Sequence, residues 1–437
     1  MNILIILEDA LRPDHLGCYG YRKPTSPWID RIAGEGVIFR NCFSTASHTL
    51  PPIVSLIMSQ WPCTHGVVDP ASFEQWIHSP AWETKDTPLK KLRKKGYAID
   101  GELVARWKPL GFDKDTDSTG IPHYFGANRD GRWFFMAEPY PTHLPYNPPD
   151  EYYRQFLDER YTASKETFER LKVVRSCLIV HPTGMVSKLE AGEKDPLPDD
   201  QIDSAHKRTA GAVDLKPEDK PAVLACYDGE LKVFDNLAGE WFSALEKSGA
   251  LDDTLVIITS DHGEELMERG HVGHSSCNLM GTLYDESIRV PLIMRYPKVL
   301  PKGKVLDDLI SMVDVFPTIF DLLGEPAPDS MEGESLLPLL SGGGGFARNI
   351  VFAETTPAGW QALGTDTRCI YCARTSHWKL ILNTDRIQSF RIYELYDLQA
   401  DPGERNNIYR GNHPAAVKLA AELNGYLKKK ELIRWDD

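Results

Sequence analysis

No apolar run in this 437-residue chain approaches the length of a membrane span, no basic tract stands out, and the cysteines follow no framework spacing. Each absence removes a class of function. A helix that crosses a bilayer needs about 20 predominantly apolar residues, so no membrane partner is expected. Lys and Arg total 49 against 63 Asp and Glu, a formal net charge of −14. Such a chain has little with which to neutralise a phosphate backbone, and no nucleic-acid partner is expected. The eight cysteines, at 18, 42, 63, 177, 226, 277, 369 and 372, are scattered, and Cys369 and Cys372 form one C-x-x-C with no second pair. They read as buried, reduced thiols of a cytoplasmic protein. The opening MNILIILEDALRPD lacks a charged leader and a cleavage-type ending, and reads as a first buried strand.

What is present is the composition of an ordinary globular protein, 42% hydrophobic and 26% charged, with length enough for two domains. Ile3–Leu7 and Thr254–Thr259 are continuous apolar runs of the kind buried in a parallel sheet, and each ends in acidic residues. Helical patterns cover Pro27–Ala33, Pro52–Ser59, Leu89–Lys95, Tyr152–Arg175 (one long charged helix) and Ala222–Gly249. Val37–Arg40, Tyr97–Leu103 and Trp133–Ala137 read as further strands. The alternation predicts an α/β layered fold with a mostly parallel sheet, in which a site lies beyond the carboxyl ends of the strands. Residues 183–220 are polar and aperiodic and read as an insertion or lid, and Ser341–Phe346 (SGGGGF) reads as a flexible joint. Residues 1–345 then form a catalytic domain and 346–437 a smaller α+β unit, with strands at Ile350–Ala353, Trp378–Leu382 and Ile392–Leu398 and a closing helix from Pro414 to Lys430.

Three stretches carry chemistry. Glu8-Asp9 and Asp261-His262 follow the two buried strands. Carboxylates suit hard divalent cations, and a His nitrogen shifts the preference toward Mn or Zn. The stretch SHTLPPIVSLIMSQWP places Thr49 at the mouth of an apolar helix that begins with two prolines. Its hydroxyl is a candidate helix cap, and equally a nucleophile held where a helix N-terminus favours an anion.

Together these stretches resemble the sulfatase family within the alkaline phosphatase superfamily. LEDALRPDHLGCYGY, SPWIDRIAGEGVIFRN, SLIMSQWPCTHGV, TLVIITSDHGEEL, LYDESIRVPLIMRYP and ELYDLQADPGERNN carry the resemblance, which spans nearly the whole chain. SDHGE and ELYDLxxDPGE are highly specific in combination. The resemblance implies a three-layer αβα fold with a C-terminal α+β subdomain carrying an antiparallel sheet. It implies that Asp9, Asp261 and His262 are metal ligands, with Thr49 as nucleophile and fourth ligand. Glu8 takes the place of the first member of a frequent Asp-Asp pair and is a further ligand candidate. His143, in PTHLPYNPP, resembles a His that donates a proton or contacts the anion, and His274 falls where many relatives have an anion-gripping Lys. His271, Arg12 and Lys108 are additional candidates for substrate contact. Asp14, His15, Tyr227 and Asp228 read as structural.

The chain departs from the family at one place that matters. Sulfatases carry C-x-P-S-R, whose Cys becomes formylglycine; aligned on Ser55 and Leu56, this chain has Thr49-Leu50-Pro51-Pro52-Ile53. No formylglycine is expected. A formylglycine hydrate releases sulfate through its second hydroxyl, which a Thr sulfate ester lacks. A Thr phosphoester is instead open to in-line attack at phosphorus. The expected activity is therefore metal-dependent hydrolysis of small-molecule phosphoesters, with phosphodiesters favoured by the scarcity of cationic candidates. One divalent ion (Mn, Zn, Ca or Mg) is expected, because the chain contains no D-x-x-x-H to complete a second site of the usual kind. A sulfuric ester hydrolase using unmodified Thr is the alternative. An inactive binding protein would have lost metal ligands, and all three principal ones are present. A homo-oligomer is compatible with the sequence.

Overall fold

The computed structural model describes residues 1–79, 82, 86–102, 104–127, 131–182, 210–278, 280–341, 346–361, 368–385 and 391–431. The strands, in chain order, are β1 (Asn2–Glu8), β2 (Val37–Phe43), β3 (Tyr97–Glu102), β4 (Lys114–Asp115), β5 (Arg132–Ala137), β6 (Ile179–Pro182), β7 (Ala210–Val213), β8 (Thr254–Ser260), β9 (Glu265–Leu266), β10 (Val272–Gly273), β11 (Arg289–Arg295), β12 (Lys304–Ser311), β13 (Val351–Thr355), β14 (Arg368–Arg374), β15 (Trp378–Asp385) and β16 (Arg391–Asp397). Eight of them form the central sheet in the order β12-β2-β11-β8-β1-β5-β3-β4. All pairings in it are parallel except those that β11 makes with β2 and β8.

The sheet is buried on both faces because successive strand residues point to opposite sides. Ile3, Ile5 and Leu7 join one core with helices α2 (Leu50–Met58) and Val315–Leu322. Leu4 and Ile6 join the other, with α1 (Pro27–Gly34) and the 29-residue α5 (Lys220–Ser248). Gly249, at φ 74°, ends α5 in the left-handed conformation that glycine tolerates. The outcome is the expected three-layer αβα arrangement. Strands β13 to β16 form a separate antiparallel sheet in sequential order. It packs with the closing helix, Pro414–Glu431, around a third apolar core that reaches Phe43 and Trp61 of the main layer. Buried Lys379 on β15 sits 2.9 Å from Asp285 and 2.8 Å from Glu404, so the LYDES and DPGE stretches are tied together by charge. Among the described residues no helix is long and apolar enough to cross a membrane.

Two sequence expectations need correction. Tyr152–Arg175 is not one helix but two, α3 (Asp150–Phe156) and α4 (Lys165–Ser176). The break is local: Leu157 is extended, and the Ser164 side chain accepts the Thr167 N–H to cap α4. The C-terminal sheet also contains a strand that the sequence did not announce, β14, which includes Cys369 and Cys372. Three residues apart on a strand, they face opposite sides, and no disulfide forms among the described residues. Of the expected insertion, 183–209 lies outside the described residues, while β7 pairs in parallel with β6. Residues 342–345 of the expected joint also lie outside them.

Candidate active site and metal centre

Strands β1 and β8 are parallel neighbours in register from Asn2↔Thr254 to Glu8↔Ser260. That register delivers Asp9 and Asp261 side by side at the carboxyl edge of the sheet. The turn after β1 is then stitched to the end of β8: Ala10 N–H donates to Asp261 Oδ1 (3.2 Å) and Leu11 N–H to Ser260 Oγ (2.9 Å). Tyr227 on α5 clamps the same turn, accepting Arg12 N–H and donating to the Ala10 carbonyl, both at 2.8 Å. Ala10 sits at φ 62°, a left-handed conformation that costs a non-glycine residue about 1–3 kcal/mol and clusters at functional sites.

Asp9, Asp261 and His262 converge. Their ligand atoms lie within 4.8 Å of one another, and His262 Nε2 is 3.4 Å from both Asp9 Oδ1 and Asp261 Oδ2. These three buried atoms have no hydrogen-bond partner in the structure. Native proteins rarely leave such groups unpaired, because the desolvation penalty is uncompensated. The remaining atoms of each side chain are occupied in a way that aims the orphans inward. Asp261 Oδ1 accepts from Ala10 and from His262 N–H (2.8 Å), and His262 Nδ1 lies 2.7 Å from the Gly263 carbonyl. A carbonyl only accepts, so Nδ1 carries the proton and Nε2 keeps its lone pair, the form that ligates a metal. Burial, followed by the Asp9 charge, pushes Asp261 up to about 6, against the pull of His262. Two carboxylates and one imidazole with three inward orphan atoms fit a divalent cation.

Thr49 stands beside this cluster. Its backbone is already helical, its side chain caps nothing, and its hydroxyl lies 3.4 Å from Asp9 Oδ2. The opening ambiguity over its role thus resolves against a cap. The dipole of α2 adds partial positive charge at this end. The loop before it is braced by Ser47, whose Oγ is 2.6 Å from Ser275 Oγ, and by His48, which reaches Thr355 Oγ1 and the Val68 carbonyl, both at 3.1 Å. Thr49 and Asp9 open into a cavity of about 720 Å³, whose wall also carries His143, His274, Cys277, Glu102, Glu230 and Trp360. No Lys or Arg stands among the described lining residues.

His143 and His274 are brought together, with ring centroids 4.8 Å apart, and His274 lies 4.2 Å from the His262 ring. His274 Nδ1 is 3.0 Å from Glu264 Oε1. Burial and the neighbouring imidazoles of His262, His143 and His48 hold His274 far below its ordinary value, and burial raises Glu264. A neutral hydrogen-bonded pair results, so His274 does not reproduce the charge of a lysine.

The other sequence candidates are placed elsewhere. Glu8 uses Oε1 to accept the N–H and hydroxyl of Thr142, both at 2.8 Å, and its buried Oε2 is unpaired but outside the three-ligand cluster. Arg12 is consumed by Asp14, Glu268 and the Glu264 carbonyl. His271 pairs with Glu265 at 2.7 Å. Lys108 is exposed, and none of Arg12, Lys108 and His271 lines the cavity. Sequence reasoning missed Cys277, Glu264 and Thr142. Only Cys277 had a local signal, three residues after His274.

Comparisons with known proteins match nearly the whole chain. The sulfatase family profile matches residues 1–127 and 115–325, and the profile for the C-terminal part of N-sulphoglucosamine sulphohydrolase matches 280–432. An N-acetylglucosamine-6-O-sulfatase of Bacteroides thetaiotaomicron is 25% identical over 490 residues, covering 93% of this chain and 82% of its own. An arylsulfatase of Clostridium perfringens is 24% identical, covering 93% of this chain and 90% of its own. The crystal structure of a phosphonate monoester hydrolase of Agrobacterium radiobacter superposes with a TM-score of 0.72 at 21% identity, covering 98% of this chain and 96% of its own.

Proposed function

The chain belongs to the sulfatase family of the alkaline phosphatase superfamily, and on that premise we propose that it hydrolyses phosphoesters, phosphodiesters foremost, through the hydroxyl of Thr49. The observation that carries the reading is a single hydroxyl at the mouth of α2, 3.4 Å from a carboxylate whose other oxygen faces two further metal-competent groups. Thr49 stands where family sulfatases convert a Cys. Asp9, Asp261 and His262 would hold a divalent cation, which when bound supplies Lewis-acid charge that lowers the hydroxyl pKa and neutralises the ester oxygens.

Asp9 Oδ2 is the atom placed to take the Thr49 proton. As Oγ1 forms its bond to phosphorus, the bond from phosphorus to the leaving alcohol oxygen breaks, and that oxygen takes up a proton. Water then attacks phosphorus and sheds a proton to solvent, which balances the one the leaving oxygen took from it; the bond from Oγ1 breaks, and Asp9 returns the first proton to Thr49. His143 and His274 are the wall groups available to the anion. The lack of Lys and Arg among the described lining residues supports a singly charged ester over a dianion.

A sulfate ester is the competing substrate, favoured by the names of the curated relatives. Rates on bis-p-nitrophenyl phosphate and p-nitrophenyl sulfate, for wild type and Thr49→Ala, separate the two. Diesterase activity is expected to fall at least about a hundredfold in the variant, with melting unchanged within a few degrees. Mass spectrometry of residues 47–62 should show unmodified Thr, transiently phosphorylated in turnover. Efficient sulfatase activity that survives Thr49→Ala refutes both the nucleophile and the reaction class.

A further inference from the structure

We propose that His143, His274 and Cys277 form a second metal site on the same cavity wall, a His2Cys site for zinc or a similar transition-metal ion. The ion-binding claim stands on these residues alone, while its catalytic use rests on the phosphoesterase reading above.

The two sulfur-to-nitrogen distances are those of a tetrahedral centre. Cys277 Sγ lies 3.6 Å from His143 Nε2 and 3.4 Å from His274 Nε2. Bonds of about 2.3 Å to sulfur and about 2.0–2.1 Å to nitrogen, at the tetrahedral angle, separate the two donors by about 3.5 Å. The side chains are also oriented from behind. His143 Nδ1 lies 2.5 Å from the Leu144 carbonyl, which accepts only, so its Nε2 is the free lone pair. His274 Nδ1 is backed by Glu264, itself fixed by the Tyr146 hydroxyl at 2.7 Å. Carboxylate and carbonyl partners on the far nitrogen are the usual support of a ligating imidazole.

The backbone builds the pair. Ser275–Asn278 is a single helical turn, and Cys277 N–H donates to the His274 carbonyl (2.9 Å), which stacks the two side chains on one face. Gly273 precedes it at φ 101°, where an added Cβ would lie 3.2 Å from Cys277 Cβ and from Leu144 Cδ1. His274 and Cys277 are buried and His143 is half-buried, and all three line the cavity. Three protein ligands with an open side is the pattern of a catalytic rather than a structural zinc centre. The donors are softer than the two carboxylates and one imidazole of the first cluster, so the two sites select different ions. In the metal-free protein the thiol bridges the imidazoles, donating to His143 Nε2 and accepting from His274 Nε2–H, while neutral Glu264 donates to His274 Nδ1. Binding replaces that bridge: the His274 proton shifts to Nδ1, and the protons of Cys277 and Glu264 leave to solvent.

Cobalt(II) reports the thiolate directly. Chelator-treated full-length protein should bind two equivalents of Co²⁺, one of them with thiolate-to-cobalt charge-transfer absorption in the near ultraviolet. Cys277→Ser should lose that band and one equivalent, whereas Asp261→Ala should lose the other equivalent and keep the band. Glu264→Gln should weaken the thiolate-bound equivalent by roughly 10–100-fold. Should Cys277→Ser fail to fold, zinc protection of Cys277 from alkylation, mapped by peptide mass spectrometry in wild type, gives the same information. No charge-transfer band in wild type, a band that persists in Cys277→Ser, or equal alkylation with and without zinc overturns the site. A protein inactive on both esters that still shows the band overturns the reaction assignment alone.

Discussion

Replacing Asp261 with Asn separates the fold from the metal. Asn keeps one oxygen for the Ala10 and His262 N–H groups and puts an amide where Oδ2 faces Asp9 and His262. Without metal, the wild-type carboxylate is a liability: burial first, then the Asp9 charge, push it up to about 6 from 3.8. A raised carboxylate pKa means the folded state holds the proton more tightly, so the penalty is complete above about pH 6 and fades as pH falls toward 4. At pH 8 it amounts to at most about 3 kcal/mol, and at pH 5 to about half of that. The unfolding entropy of a 437-residue chain is about 0.9 kcal/mol/K, so chelator-treated Asp261→Asn should melt up to about 3 °C above wild type at pH 8. Metal reverses the order. At a free ion concentration 100-fold above Kd, wild type gains about 2.7 kcal/mol, again about 3 °C, which the variant forgoes. Thermal melts with chelator and with Mn²⁺, Zn²⁺ or Ca²⁺, at pH 5 and 8, read this crossing. A chelated variant that melts below wild type, or equal stabilisation of both by metal, refutes the cluster as a cation site.

Two further outcomes test the frame around the site. Lys379→Met leaves Asp285 and Glu404 buried without their shared cation, and should cost about 3–5 kcal/mol in urea melts, part of it restored by adding Glu404→Gln. Glu230, pushed up to about 7 chiefly by burial against the Asn147 N–H, destabilises the fold as it ionises. Glu230→Gln should therefore gain stability over wild type above pH 7, by at most about 3 kcal/mol, and lose that advantage below about pH 4.5.

The parts of this molecule that could be read from sequence are those where local pattern and tertiary role coincide. Ile3–Leu7 and Thr254–Thr259 are apolar throughout because both faces of their strands are covered, and the acidic residues that end them are at the sheet edge where ligands gather. Where the role depends on a distant partner, pattern failed. Arg12 looked like an anion contact because Asp14 and Glu268, which take up its guanidinium, are not recognisable as partners in a linear reading. Two helices read as one across Tyr152–Arg175 because charge is dense on both sides, and nothing but the Ser164 cap marks the break. RCIYCAR was read for its two thiols, although its apolar run is that of the buried strand it forms, with β13 and β15 on either side. Cys277 offered only its spacing from His274 until His143, 134 residues away, was placed 3.6 Å from it.

The charge of the cavity constrains its substrate independently of the nucleophile. Its described wall holds Asp9, Glu102, Asp117 and Glu230 and no Lys or Arg, so no lysine or arginine of that wall attracts an anion. At an effective dielectric of about 20, one carboxylate about 10 Å from the ester opposes each negative charge by about 1.7 kcal/mol. A second charge on the ester thus meets that handicap again, about tenfold, from each buried ionised carboxylate at such a distance. Glu102 and Glu230, each pushed up to about 7 by burial, soften this near neutrality by carrying less than a full charge. Attraction must come from bound cations and from the N-terminus of α2, whose partial charge is about half an elementary unit. With one ion the balance favours a monoanion. With a second ion on His143, His274 and Cys277, the added positive charge offsets the wall, and the number of bound metals then governs how much charge an acceptable ester carries.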